Sequence, residues 1–132
     1  MRKLVTVAAA GLAAGALAAG AGAGSASVKV TLKEFELVPV PASVRAGKVT
    51  FVARNTGALT HELVVIRTTR APAKLPVSGG KASEKGRVGE SGDVKPGTTR
   101  KVTLTLQPGK YVLICNVAGH YQAGQRAAFV VR

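Results

Sequence analysis

The sequence contains one cysteine, one methionine, two histidines and no tryptophan among its 132 residues. Because Cys115 is the sole cysteine, an intrachain disulfide is excluded, and the fold depends on one apolar core. An unpaired thiol in an oxidising compartment is expected to be protected by burial, by pairing with another chain, or by binding of a metal. The chain also lacks an internal repeat and, beyond its N-terminal segment, any long helical period. A β-rich fold is therefore expected.

The N-terminal segment has the composition of a secretory signal. A basic start at residues 1–3 precedes an uncharged stretch, residues 4–23, built almost wholly of Ala, Gly, Leu and Val, and small residues follow. This order predicts a signal peptide over residues 1–26 and a single mature domain over residues 27–132. We therefore expect a secreted protein, in the periplasm or at the extracellular face of the cell envelope. The alternative is an uncleaved anchor helix, because the stretch is about long enough to span a bilayer.

Acidic residues are scarce, with six against 19 basic residues and a formal net charge of +13. Loss of Arg2 and Lys3 with the signal would leave a net charge of +11. A charge of this size favours an acidic redox partner protein or an anionic membrane surface, or it serves only to keep the protein soluble. Nucleic acid is not expected as a partner, because the basic residues are scattered and form no basic helical face.

Alternating apolar and polar residues predict an all-β domain. The run at residues 63–66 is apolar enough to be buried on both faces of a sheet. Turn residues separate the alternating segments, which favours an antiparallel sandwich or barrel. The predicted strands cover residues 27–37, 48–55, 61–69, 99–106, 110–115 and 127–131.

Residues 70–97 differ from the rest of the domain. They include three prolines and six glycines with charged residues between them. This composition predicts a long surface loop with little regular structure, of a kind that is often functional or mobile.

The chemistry-bearing residues are Cys115, His120 and His61. Cys115 precedes His120 by five residues in a predicted loop between two strands, and His61 begins a buried strand 54 residues before Cys115. Two imidazoles and one thiolate around a weak axial donor form a blue copper centre. Metal binding would also protect the unpaired thiol, so the three residues are candidate copper ligands.

Residues 111–124 resemble the ligand loop of bacterial cupredoxins of the plastocyanin and azurin type. The Asn-Thr-Gly of residues 55–57 and the His-Glu-Leu of residues 61–63 resemble the segment that supplies the first histidine of that family. The resemblance implies a Greek-key β-sandwich or barrel that binds one copper ion. It also implies a monomeric one-electron carrier that cycles between Cu(I) and Cu(II) and is not an enzyme.

One position departs from the cupredoxin pattern. The family usually places an axial methionine a few residues after the last histidine, whereas the only methionine here is Met1. The matching position is Gln125, and glutamine is a known axial alternative at blue copper sites. Its amide oxygen is a harder donor than a thioether and is expected to lower the reduction potential. The alternatives are that Gln125 is a plain surface residue or that the axial site is empty.

Four other functions stay open from the sequence. Copper transport or storage would use the same ligands. A thiol enzyme would use Cys115 with a histidine as base, although no helix is predicted after Cys115 to lower the pKa of the thiol. A β-sandwich interaction module with a degenerate metal site, and a zinc site with the same donors, are the others. Two bridged coppers would need a second cysteine and are excluded.

Overall fold

The computed structural model describes residues 24–132 and folds them into two β-sheets that pack face to face. One short 3-10 turn, Pro72–Lys74, interrupts the strands. The eleven strands are β1 (Gly24–Lys33), β2 (Glu36–Val40), β3 (Ser43–Val44), β4 (Gly47–Asn55), β5 (His61–Arg67), β6 (Val77–Ser78), β7 (Lys81–Ala82), β8 (Arg87–Val94), β9 (Thr99–Leu106), β10 (Gly109–Ile114) and β11 (Arg126–Val131). The prediction of an all-β domain is confirmed.

The two main sheets mix parallel and antiparallel pairs. The four-stranded sheet has the order β2-β1-β4-β9, the five-stranded sheet has the order β3-β11-β10-β5-β8, and β6 and β7 form a separate hairpin. Strand β1 runs parallel to β4, and β3 runs parallel to β11. The expected antiparallel pairing holds elsewhere in the two sheets but not at these two pairs, because the chain crosses over between non-consecutive strands.

The main core lies between the two sheets and follows from the alternation of the strands. In β1, Val28, Val30 and Leu32 are buried while the lysines beside them are exposed, as period-two patterning requires. Two aromatic rings from opposite sheets, Phe51 and Phe129, meet edge to face with centroids 5.4 Å apart. This core fixes how the sheets stack and therefore where the loops at their ends meet.

Strand β5 is buried on both faces, as its apolar run predicts. Leu63 and Val65 belong to the core between the sheets, whereas Val64 and Ile66 belong to a second apolar cluster on the other face of the five-stranded sheet. Leu75 and other residues of the segment between β5 and β8 cover this second cluster. The segment therefore completes the burial of the five-stranded sheet.

Two segments differ from the sequence predictions. The strand expected over residues 27–37 is a hairpin instead, because the chain turns at Glu34 and Phe35 between β1 and β2. The loop expected over residues 70–97 contains the β6–β7 hairpin and the eight-residue strand β8, which pairs with β5. Glycine at two positions of β8 weakens its strand pattern, and its pairing with a buried neighbour supplies the order.

The predicted signal peptide lies almost wholly outside the described residues. Its last three residues, Gly24 to Ala26, begin β1 and pair with β4. No helix within residues 24–132 is long and apolar enough to cross a membrane.

Candidate metal centre

Three strands bring the predicted donors to one end of the sandwich. His61 is the first residue of β5, and Cys115 directly follows β10, which pairs with β5 so that Ile114 faces Val64. His120 lies in the loop that joins β10 to β11. Adjacent strands thus place His61 and Cys115 side by side, and the short loop returns His120 to the same point.

The three donor atoms form a nearly equilateral triangle. The Nδ1 atoms of His61 and His120 are 3.2 Å apart, and Cys115 Sγ lies 3.8 Å from the first and 3.6 Å from the second. The point equidistant from all three lies about 2 Å from each atom, within the ~2.0–2.3 Å range for nitrogen and thiolate ligands of a metal ion. The triangle can therefore hold a single ion.

Cys115 is fully buried, and its sulfur faces the two imidazoles. The backbone N–H of Glu62 donates a hydrogen bond to Sγ over 3.3 Å. Burial raises the pKa of the Cys115 thiol above its ordinary value. Without a metal the thiol therefore stays protonated at neutral pH, and a cation at the centre of the triangle would favour the thiolate.

The His61 side chain is completely buried and is held from behind by Glu34. Nε2 of His61 lies 2.8 Å from a carboxylate oxygen of Glu34, on the opposite side of the ring from Cys115. The backbone N–H groups of Ala58 and Leu59 donate to the same carboxylate. These backbone hydrogen bonds, with a smaller contribution from His61, lower the pKa of Glu34 to about 2.

His120 is the least enclosed of the three donors, with 8% of its surface exposed. The ring of Phe35 meets it edge to face, with centroids 5.1 Å apart. Burial and the neighbouring His61 lower the pKa of His120, against the opposing effects of Gln125 and Glu34. The neutral ring that results is the form in which histidine binds a metal.

Gln125 is fully buried next to this group. Its Nε2 donates hydrogen bonds to the backbone carbonyls of Lys33 and Glu36, over 3.1 and 3.2 Å. Its Oε1 has no hydrogen-bond partner among the described residues. A buried amide oxygen without a partner is costly, so this atom is available as a further donor.

A family model described as the cupredoxin-like domain matches residues 4–131. The chain belongs to the cupredoxin-like family. No match was found among curated protein sequences.

Solved structures of other cupredoxins share the fold. The blue copper protein auracyanin A of Chloroflexus aurantiacus is 23% identical, with a TM-score of 0.64 over 83% of this chain and 100% of that chain. Auracyanin of Roseiflexus castenholzii is 21% identical, with a TM-score of 0.60 over 84% and 99%. Rusticyanin of Thiobacillus ferrooxidans is 16% identical, with a TM-score of 0.61 over 83% and 79%.

Hydrogen bonds join the β6–β7 hairpin to the loop between β10 and β11 of this cupredoxin. The Asn116 side chain accepts a hydrogen bond from Ala82 N and donates to Ala82 O and to Glu84. The Tyr121 hydroxyl accepts from Leu75 N and donates to the carbonyl of Pro72. The segment before β8 thus supports the loop that carries Cys115 and His120.

Sequence reasoning missed Glu34 and Phe35, although both contact the candidate ligands. The available signal was a break in the alternation, because Lys33 and Glu34 are two successive polar residues after which the alternation resumes in the opposite phase. Gly57, in the Asn-Thr-Gly turn, was a second signal. The structure gives its reason, because a Cβ at position 57 would lie 2.5 Å from the Glu34 carboxylate oxygens. Neither signal identifies the partner, since Glu34 and His61 are 27 residues apart.

Proposed function

We propose that this cupredoxin is a secreted type 1 copper protein that carries one electron at a time. The observation that supports it most is the triangle of His61 Nδ1, Cys115 Sγ and His120 Nδ1 at one end of the sandwich. These three residues would hold one copper ion, with Gln125 as the axial donor. Copper, when bound, would supply the one-electron redox step.

The donor set fits copper by its chemistry. A soft thiolate with two imidazoles, and a weaker donor along the axis, is the ligand combination of blue copper sites. The partnerless Oε1 of Gln125 would be the weaker fourth donor, because the amide nitrogen of Gln125 already donates to two carbonyls. A harder axial oxygen favours Cu(II), so the proposed carrier works at a low potential for its class.

Electron transfer, rather than catalysis, is favoured by the state of Cys115. A thiol nucleophile needs an exposed thiolate with a lowered pKa, whereas burial leaves Cys115 inaccessible and raises its pKa. Strands β5 and β10 hold two of the proposed ligands rigidly. The proposed ligands would therefore move little between Cu(I) and Cu(II), as an electron carrier requires.

An acidic redox protein is the proposed partner. The outer face of the four-stranded sheet presents the exposed cations Lys29, Lys48, Arg54 and Lys101. Such a face attracts an acidic protein, or an anionic membrane surface, at a rate that falls as ionic strength rises. The N-terminal signal composition supports a place outside the cytoplasm.

Repeated redox cycling tests the carrier role against copper transport or storage. The copper-loaded protein is reduced and reoxidised through an acidic redox protein, in the presence of a Cu(I) chelator and at rising salt. We expect copper to stay bound over many cycles, with electron-transfer rates that fall as salt increases. Transfer of copper to the chelator in each reduced phase would instead indicate transport or storage.

A further inference from the structure

The turn between β1 and β2 contacts three of the four proposed copper ligands. Glu34 accepts a hydrogen bond from His61, the Phe35 ring meets His120, and the carbonyls of Lys33 and Glu36 accept from Gln125. Glu34 is not among the residues whose donor atoms lie close enough together to share one ion, which are His61, Cys115 and His120. The turn therefore acts on the site through the ligands.

We propose that Glu34 is a positioning residue that fixes the ring of His61 and stabilises the oxidised state of the site. This inference rests on the proposed function, because it concerns how His61 would meet a copper ion. The Glu34 carboxylate, which is not itself a ligand, would then help to set the reduction potential of the site.

The hydrogen bond from His61 determines which ring nitrogen carries the proton. An ionised carboxylate only accepts hydrogen bonds, so the proton lies on Nε2 of His61, 2.8 Å from Glu34. Nδ1 then presents its lone pair toward Cys115 Sγ and His120 Nδ1. A carboxylate behind a ligating histidine fixes the ring orientation and raises the basicity of the other nitrogen.

Glu34 is itself held in place by backbone N–H groups. The Leu59 N–H donates to Oε1 over 2.7 Å, and the Ala58 N–H donates to both carboxylate oxygens. Gly57 allows this close approach, because any Cβ at that position would collide with the carboxylate. The chain thus builds a fixed anionic group at a turn where only 26% of the Glu34 side chain is exposed.

A fixed negative charge one imidazole ring away from the ion stabilises the higher oxidation state. Cu(II) carries one more positive charge than Cu(I), so the attraction of Glu34 favours Cu(II). Glu36 lies two residues away on the same turn, but its side chain is 59% exposed and is paired with Lys33. Solvent and Lys33 screen its charge, which makes Glu36 a matched control.

The test compares the reduction potentials of Glu34→Gln and Glu36→Gln with that of the wild-type copper-loaded protein. Each variant loses one negative charge from the same turn, and glutamine at position 34 keeps an oxygen that can accept from His61. We expect Glu34→Gln to shift the Cu(I)/Cu(II) affinity ratio about tenfold toward Cu(I), which is about 59 mV for a one-electron couple. Glu36→Gln is expected to shift it by much less.

A second readout uses the metal-free protein. Nitrogen NMR of the wild type is expected to show His61 with its proton on Nε2, whereas Glu34→Ala should lose this single tautomer. A merely structural role for Glu34 would change stability and leave the potential and the tautomer as in the wild type. Equal potentials for Glu34→Gln, Glu36→Gln and wild type would overturn the inference, whereas a wild-type protein that binds no copper would overturn the proposed function instead.

Discussion

The Gln125 side chain shows how far a single residue can be understood from sequence. Its place a few residues after the last histidine predicted an axial donor, and the structure buries it beside the donor triangle with Oε1 unpartnered among the described residues. Sequence did not indicate that two carbonyls of the β1–β2 turn would hold its amide nitrogen. Glu34 escaped prediction altogether, because its partners His61, Ala58 and Leu59 lie 24 to 27 residues away.

Replacing the axial donor is expected to change the reduction potential. In Gln125→Met a softer thioether takes the axial position, which favours Cu(I). We expect a rise in potential of about 59 mV or more, a tenfold change in the Cu(I)/Cu(II) affinity ratio, measured by redox titration of the copper-loaded protein. Gln122, exposed on the same loop, is the control. If Gln125→Met and Gln122→Met have the wild-type potential, Gln125 is not axial.

Strands with clear alternation were predictable as elements, whereas hairpins held by long-range contacts were not. Strand β9 begins and ends where its pattern predicts, and β5 shows the predicted burial on both faces. Strand β8 was not predicted, because Gly89 and Gly92 interrupt its alternation of apolar and polar residues. The strand is ordered instead by its pairing with β5. The β6–β7 hairpin is hydrogen-bonded to Asn116, a contact between two loops that appears only in three dimensions.

Loss of the Asn116 brace is expected to loosen the hairpin beside the metal centre. Asn116→Ala removes three hydrogen bonds and leaves the Ala82 N–H without its acceptor. A loss of about 2 kcal/mol in the free energy of unfolding is expected, measured by urea denaturation of the metal-free protein. Hydrogen exchange should accelerate at Ala82 while the β5–β10 amides stay protected. Unchanged exchange at Ala82 would show that the hairpin stands without this brace.

The whole-molecule charge distribution could not be derived from the net charge. Four of the six acidic residues, Glu62, Glu84, Glu90 and Asp93, lie together around β5 and β8, and burial with their mutual repulsion raises the pKa of Glu62. Basic residues occupy the outer face of the opposite sheet. The net charge predicted an acidic partner, whereas only the fold shows that basic residues gather on the outer face of one sheet and acidic residues around β5 and β8.

Whether His61, Cys115 and His120 bind one copper ion is tested by a Cu(II) titration of the protein followed by visible absorption. We expect a strong thiolate-to-copper band in the visible range that saturates at one equivalent and is abolished in Cys115→Ser. Absence of this band from the wild type, or its persistence in Cys115→Ser, would show that these three residues do not hold a copper ion.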